Sequence, residues 1–134
     1  GHTPVIFLLT IGNPSMRSAR ASFAENFFGS AGYKIINNIG FDNPEAGVKN
    51  AVENNADVVV ICSSDDEYPE IGPGIIDGLK QLNPEIRIVI AGNPTQHIEM
   101  LQDAGVDDFI HVRSNALEIL STYQTILGII NKDR

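Results

Sequence analysis

The segment Val5 to Ile11 is a predominantly apolar run, and similar runs recur at Tyr33 to Ile36, Val58 to Cys62, Ile86 to Ala91 and Phe109 to Val112. Continuous rather than alternating apolarity is the mark of strands covered on both faces. Between the runs lie stretches with helical spacing: Ser15 to Ala31, Pro44 to Asn55, Pro69 to Leu82, Pro94 to Ala104 and Ser114 to Ile130. Asn43 and Asn93 each precede a proline, which puts a capping side chain ahead of a residue suited to the first helical turn. Ser15 is read as the cap of the first helix, and Ser114 with Asn115 as the cap of the last. Gly32 and Gly105 follow the first and fourth helices, where a left-handed stop is expected.

Strands that alternate strictly with helices imply a parallel sheet built by right-handed crossovers. The expected fold is a flavodoxin-like α/β domain with helices on both faces and strand order 2-1-3-4-5. Its switch point falls between the first and third strands, so the loops after Ile11 and Cys62 share the crevice where such sheets usually bind ligands. Residues 1–134 read as one domain. Gly1 and His2 read as a cloning remnant, because Thr3 to Gly12 already forms a strand with its exit turn.

Composition narrows the function. Nine basic against 17 acidic residues give a net charge of -8 with no basic run, which argues against nucleic acid and anionic membranes as partners. Cys62 is the single cysteine and lies within an apolar strand, so it reads as a structural thiol of a reducing compartment, cytosol or mitochondrial matrix, with the cytoplasm the expected location.

The loop Gly12-Asn13-Pro14-Ser15-Met16-Arg17 opens a helix, but it lacks the glycines of a dinucleotide fingerprint and the lysine of a P-loop. A phosphoacceptor receiver needs acidic groups after the first strand and a lysine after the fifth; Ile11-Gly12-Asn13 carries no acid, and Arg113 stands near the lysine position. The cluster Asp65-Asp66-Glu67 reads as helix-dipole partners on solvated surface rather than a cation site. His2, His97 and His111 are too scattered for a metal set: His97 reads as a surface residue in the first turns of the fourth helix, and His111 as a structural imidazole. No nucleophile constellation is present and no catalytic residue is assigned. Of the five arginines, Arg17, Arg20 and Arg113 fall at the carboxyl edge of the sheet.

Taken together, the run Phe7-Leu-Leu-Thr-Ile-Gly-Asn-Pro-Ser-Met-Arg-Ser-Ala-Arg20, the segments Phe23-Ala-Glu-Asn-Phe-Phe28 and Ala31-Gly-Tyr33, then Cys62-Ser-Ser-Asp-Asp-Glu-Tyr68 and Val112-Arg-Ser-Asn115 resemble a known family. They are similar to the C-terminal, cobalamin-binding-like domain of the small subunit of bacterial methylmalonyl-CoA mutase. The resemblance implies an adenosylcobalamin-dependent isomerase interconverting methylmalonyl-CoA and succinyl-CoA, in which the large (alpha) subunit is the partner and holds cofactor and substrate. Active cobalamin domains carry D-x-H-x-x-G after the first strand, the histidine ligating cobalt and the glycine leaving room for the nucleotide tail. Here the matching positions are Ser15, Arg17 and Arg20. The family's S-x-L after the third strand becomes Ser63-Ser64-Asp65, and its paired glycines after the fourth become Gly92-Asn93.

An arginine cannot offer cobalt a lone pair, and a second arginine fills space that a glycine left open. The expectation is therefore a cofactor-free domain with a structural or assembly role, with no metal and no cofactor-binding residues. The alternatives are a module that still binds cobalamin without a histidine, and a small-molecule or anion sensor using Arg17, Arg20 and Arg113. If the crevice is vacated, it is expected to be closed by an ion pair between Arg17 or Arg20 and Asp65 or Asp66.

Overall fold

The computed structural model describes residues 4–29, 31–38 and 40–111. Gly1, His2, Arg113, Ser114, Asn115 and the last expected helix lie outside the described residues.

The chain runs β1 (Val5–Thr10), α1 (Pro14–Gly29), β2 (Lys34–Ile36), α2 (Pro44–Glu53), β3 (Val58–Cys62), α3 (Tyr68–Leu82), β4 (Arg87–Ala91), α4 (Ile98–Ala104) and β5 (Asp108–Ile110). The five strands form one sheet in the order β2-β1-β3-β4-β5, all pairs parallel. This is the flavodoxin-like topology expected from the apolar runs. β1 and β3 are adjacent, with Phe7 opposite Val59 and Leu9 opposite Ile61. Every residue of both strands is buried.

Their side chains divide between two cores, as the two-residue strand period requires. Phe7, Leu9, Val59, Ile61, Ile88 and Ile90 pack with Val48 and Ala51 of α2, Ile75 and Leu79 of α3 and Leu101 of α4. Ile6, Leu8, Val58, Val60, Cys62 and Val89 face the other way, onto Ala21, Ala24, Phe27 and Phe28 of α1. The amino edge of the sheet is pinned by two carboxylates: Asp57 Oδ2 accepts from the Val5 amide and Asp107 Oδ2 from the Ile88 amide, both at 2.8 Å.

Several boundaries differ from the sequence reading. Ile11 leaves the first strand to make an isolated bridge with Phe41. The first helix begins at Pro14 rather than Ser15, and its cap is Asn13, whose Oδ1 accepts from the Met16 amide at 3.0 Å. Ser15 is simply exposed in the first turn. Asn43 caps α2 as expected, accepting from the Ala46 amide. The matching Asn93-Pro94 pair does not start a helix. The Thr95 amide bonds back to the Asn93 carbonyl and the His97 amide to Pro94, a tight turn that delays α4 to Ile98 and leaves His97 at the N-cap instead of inside the helix. Gly105 does end α4 with a positive φ of 128°, whereas α1 already stops at Gly29, and Gly32, with φ 82°, lies in the turn beyond it.

Candidate functional site

The carboxyl ends of β1, β3 and β4 converge on one crevice, and its mouth is crossed by side chains from the loops that leave each strand. Arg20 lies on α1, two turns past the β1 exit. Its Nη1 donates to Asp65 Oδ1 at 3.1 Å, and the same nitrogen donates to the carbonyl of Ala91 at the end of β4. Asp65 Oδ1 also accepts from the Asn93 amide at 3.2 Å. One guanidinium and one carboxylate therefore tie together the exits of β1, β3 and β4.

The expected ion pair is present, and the arginine is Arg20. Arg17 points elsewhere: its Nη1 donates to the Gly12 carbonyl at 3.1 Å, and its guanidinium lies against Gly40 on the β2 side. Asp66 is exposed. The Arg20 side chain is 20% exposed and that of Asp65 39%, so solvent screens the pair and its net contribution to stability is about 0 to 1 kcal/mol. Its effect is geometric, since it spans the crevice. Gly92 is buried directly beneath it, and a Cβ at that position would collide with Arg20 Nη1 and come within 2.5 Å of Asp65 Oδ1.

A second tie lies alongside. Glu67 was read as solvated surface, but its Oε1 accepts from the hydroxyls of Ser64 (2.6 Å) and Ser63 (2.9 Å) and from the Asn13 amide across the crevice at 3.1 Å. The Ser64 hydroxyl most of all, with the Asn13 amide and the Ser63 hydroxyl, holds the Glu67 carboxyl below the ordinary range against the opposing effect of burial. The signal was available in the sequence, because Ser64-x-x-Glu67 is a capping-box spacing, and the Glu67 carboxylate does reach back to accept from the Ser64 amide, although α3 itself starts only at Tyr68. A group with a depressed folded pKa contributes stability that is complete above its unfolded value, near 4.3, and is lost as pH falls through the folded one. Melting temperature should therefore fall more steeply in acid for the wild type than for Glu67→Gln, with the two curves converging at the lowest pH.

Beneath these ties the space is filled by Tyr68, which is fully buried at the start of α3. Its hydroxyl accepts from the Ser63 amide at 2.9 Å and lies 2.6 Å from the Ala91 carbonyl, the same acceptor that Arg20 uses. Burial pushes the Tyr68 phenol far above its ordinary value, so it stays a neutral donor. Burial likewise raises the Cys62 thiol, outweighing the lowering by nearby Arg20; Cys62 is a structural thiol here, as its place in the strand suggested.

A cavity of about 390 Å³ remains to one side, lined by Ala19, Phe23 and Ile110 with Arg20, Asp65, Asn93 and His111 at its polar margin. His111, half-buried after β5, is one of its walls, whereas His97 lies away from it. Among the described residues no group of three or more histidine, cysteine or acidic side chains is arranged to hold a metal ion. None of the described helices is long and apolar enough to cross a membrane.

Of the seven positions matched to the family's cofactor motifs, Arg20, Ser63, Asp65, Gly92 and Asn93 meet at this crevice. Ser15 and Arg17 do not join them. The residues that sequence reasoning missed are Asn13, Glu67 and Tyr68.

Comparison with known proteins bears on what this crevice belongs to. No family model matches the chain. Over 129 residues, 96% of this chain, it is 47% identical to the methylmalonyl-CoA mutase small subunit of Porphyromonas gingivalis. It is 24% identical over the same extent to that of Streptomyces virginiae. The chain spans about a fifth of the length of these curated relatives, 20% in each case, so the similarity is to a domain-sized part of them. Among solved structures, a CheY-like protein from Pseudomonas aeruginosa superposes with a TM-score of 0.68 at 21% identity, covering 92% of this chain and 98% of that one. A two-component response regulator from Clostridium difficile gives 0.65 at 17% identity, covering 97% and 99%. At such identities the structural likeness speaks for the flavodoxin-like fold alone.

Proposed function

We propose that this chain, as a domain of a methylmalonyl-CoA mutase small subunit, is a cobalamin-binding-like domain retained for structure and assembly, free of cofactor. On this reading it stands in the cytoplasm beside a large subunit that carries the adenosylcobalamin and the substrate of the isomerase. The observation that carries the reading is the Arg20 guanidinium. It crosses the crevice to Asp65 and Ala91 at the place where a cofactor-holding member of the family would need open space.

The residues at this mouth do not fit a corrinoid. The stretch from Ser15 to Arg20 offers no imidazole, and a permanently protonated guanidinium has no lone pair for cobalt. Below the mouth, Tyr68 occupies the interior and uses its hydroxyl on backbone groups. A cationic side chain already answered by a carboxylate and a carbonyl would have to give up both partners to admit a ligand.

The test uses the colour of the cofactor. Protein mixed with excess hydroxocobalamin and passed through gel filtration should elute without a visible corrinoid band. The triple substitution Ser15→Asp, Arg17→His, Arg20→Gly should recover little binding, because Asp65 and Asn93 remain. Stoichiometric retention of corrinoid by the wild type would overturn the proposal in favour of a module that binds without a histidine.

The cavity of about 390 Å³ beside Arg20 favours one second reading, a site for a small molecule or anion, since its volume is within the roughly 300–1,000 Å³ of ordinary ligand pockets. It is the weaker of the two because Asp65 already neutralises Arg20. It would be supported by a rise in melting temperature with added phosphate or coenzyme A.

A further inference from the structure

On the face of the sheet opposite α1, helices α2 and α3 leave between them a groove of about 400 Å³. Its apolar floor includes Val48 of α2 and a row along α3 made by Ile71, Gly74, Gly78 and Leu82, spaced three, four and four residues apart as one helical face requires. Leu82, at the end of that row, is 60% exposed.

Gly74 is the informative member. Glycine weakens a helix relative to alanine, so its presence in mid-helix calls for a reason. Two neighbouring glycines have one inside the domain: a Cβ at Gly72 would come within 2.9 Å of Leu101 Cδ2, and one at Gly78 within 3.3 Å of Val48 Cγ1. At Gly74 the φ is not positive, and a Cβ would meet nothing within 4 Å. The space above it is open. The two charged residues that line the groove, Glu45 and Glu70, are both acidic and both exposed.

We infer that this groove is a docking site for another segment of the same small-subunit polypeptide: a segment that seats an aliphatic or aromatic side chain over Gly74 and a lysine or arginine between Glu45 and Glu70. The inference rests on the reading of the chain as a domain of that subunit. Three observations select the occupant. The matched relatives are about five times as long as this stretch, which supplies candidate segments on the same chain. Nine of the described residues line the groove, well short of the roughly 20–30 residues a side that a stable contact between separate proteins uses. A tethered segment needs less, because linkage raises its effective concentration to the millimolar range. The acidic margin of a domain with net charge -8 selects a basic occupant.

The experiment uses the full-length small subunit, with limited proteolysis and photo-crosslinking read in parallel. Gly74→Trp should release this domain from the rest of the subunit about tenfold faster, as should the pair Glu45→Lys with Glu70→Lys. Gly74→Ala should leave release within about twofold while raising the melting temperature of the domain. A photo-reactive p-benzoylphenylalanine replacing Leu82 should crosslink within the same polypeptide. Unchanged release in both the tryptophan and the double-lysine variants would overturn the inference. So would crosslinks that fall only on the large subunit or on a second copy, an outcome that leaves the proposed function standing. A parent polypeptide no longer than this domain would instead remove the reading on which both rest.

Discussion

Replacing Tyr68 by alanine should cost on the order of 4 kcal/mol, the usual range for deleting a large aromatic side chain from a packed core. Tyr68 has no exposed surface and packs in the same core as Ile75 and Leu101. The more discriminating variant is Tyr68→Phe, which keeps the ring and removes the hydroxyl alone. The Ala91 carbonyl would retain Arg20 as a donor, but the Ser63 amide would lose the acceptor 2.9 Å away. Ser63 is itself fully buried, so water cannot easily replace it. One orphaned buried amide costs about 1–3 kcal/mol, and that is the loss expected in urea unfolding of Tyr68→Phe, with the dependence on denaturant unchanged. A loss below about 0.5 kcal/mol would mean that the hydroxyl is not the element holding the β3 exit to the β4 exit.

The contrast between Tyr68 and β1 shows what the sequence makes legible. Val5 to Leu9 announces a central strand because both faces of the strand are apolar, and apolarity on both faces is a property of the strand itself. The role of the Tyr68 hydroxyl depends on the Ala91 carbonyl, 23 residues further along the chain, and no local pattern encodes that distance. Asn93-Pro94 fails as a helix start for the same reason. Locally it matches Asn43-Pro44, yet its amide donates to Asp65 from the neighbouring loop and its carbonyl accepts from the Thr95 amide, so that a tight turn stands where the helix was expected.

Between these extremes lies the crevice bridge. Strand order placed an arginine of α1 opposite the acids after β3, so an ion pair was foreseeable from topology. Which arginine makes it was not. Arg17 and Arg20 are one turn apart, and the choice depends on where the Gly12 carbonyl and the Gly40 loop stand relative to the helix axis. Glu67 belongs to a different class: its Ser64-x-x-Glu67 spacing was visible, but three adjacent acids suggested a solvated surface, and only the reach of the Asn13 amide reveals its place in the site.

Gly12→Ala should destabilise the protein by about 3 kcal/mol, from two sources that can be separated. The first is conformational, because Gly12 sits at φ 84°, where a side chain crowds its own backbone at a cost of roughly 1–2 kcal/mol. The second is crowding across the crevice: an added Cβ would lie 2.6 Å from Ser63 Oγ and 2.7 Å from the Glu67 carboxyl carbon. Gly32 supplies the control. Its φ of 82° is nearly the same, but a Cβ there would meet nothing within 4 Å, so Gly32→Ala reports the conformational cost alone. The excess of Gly12→Ala over Gly32→Ala, measured by urea unfolding, is then the price of displacing Glu67 and the Ser63 hydroxyl. It should shrink in the background Glu67→Ala, where the carboxylate is no longer in the way. It should also shrink as pH is lowered, because a protonated Glu67 has less to lose when it is pushed from the Ser64 hydroxyl and the Asn13 amide that hold it ionised. Equal costs at Gly12 and Gly32 would show that Glu67 yields freely, so that its carboxylate does not hold the β1 and β3 exits together.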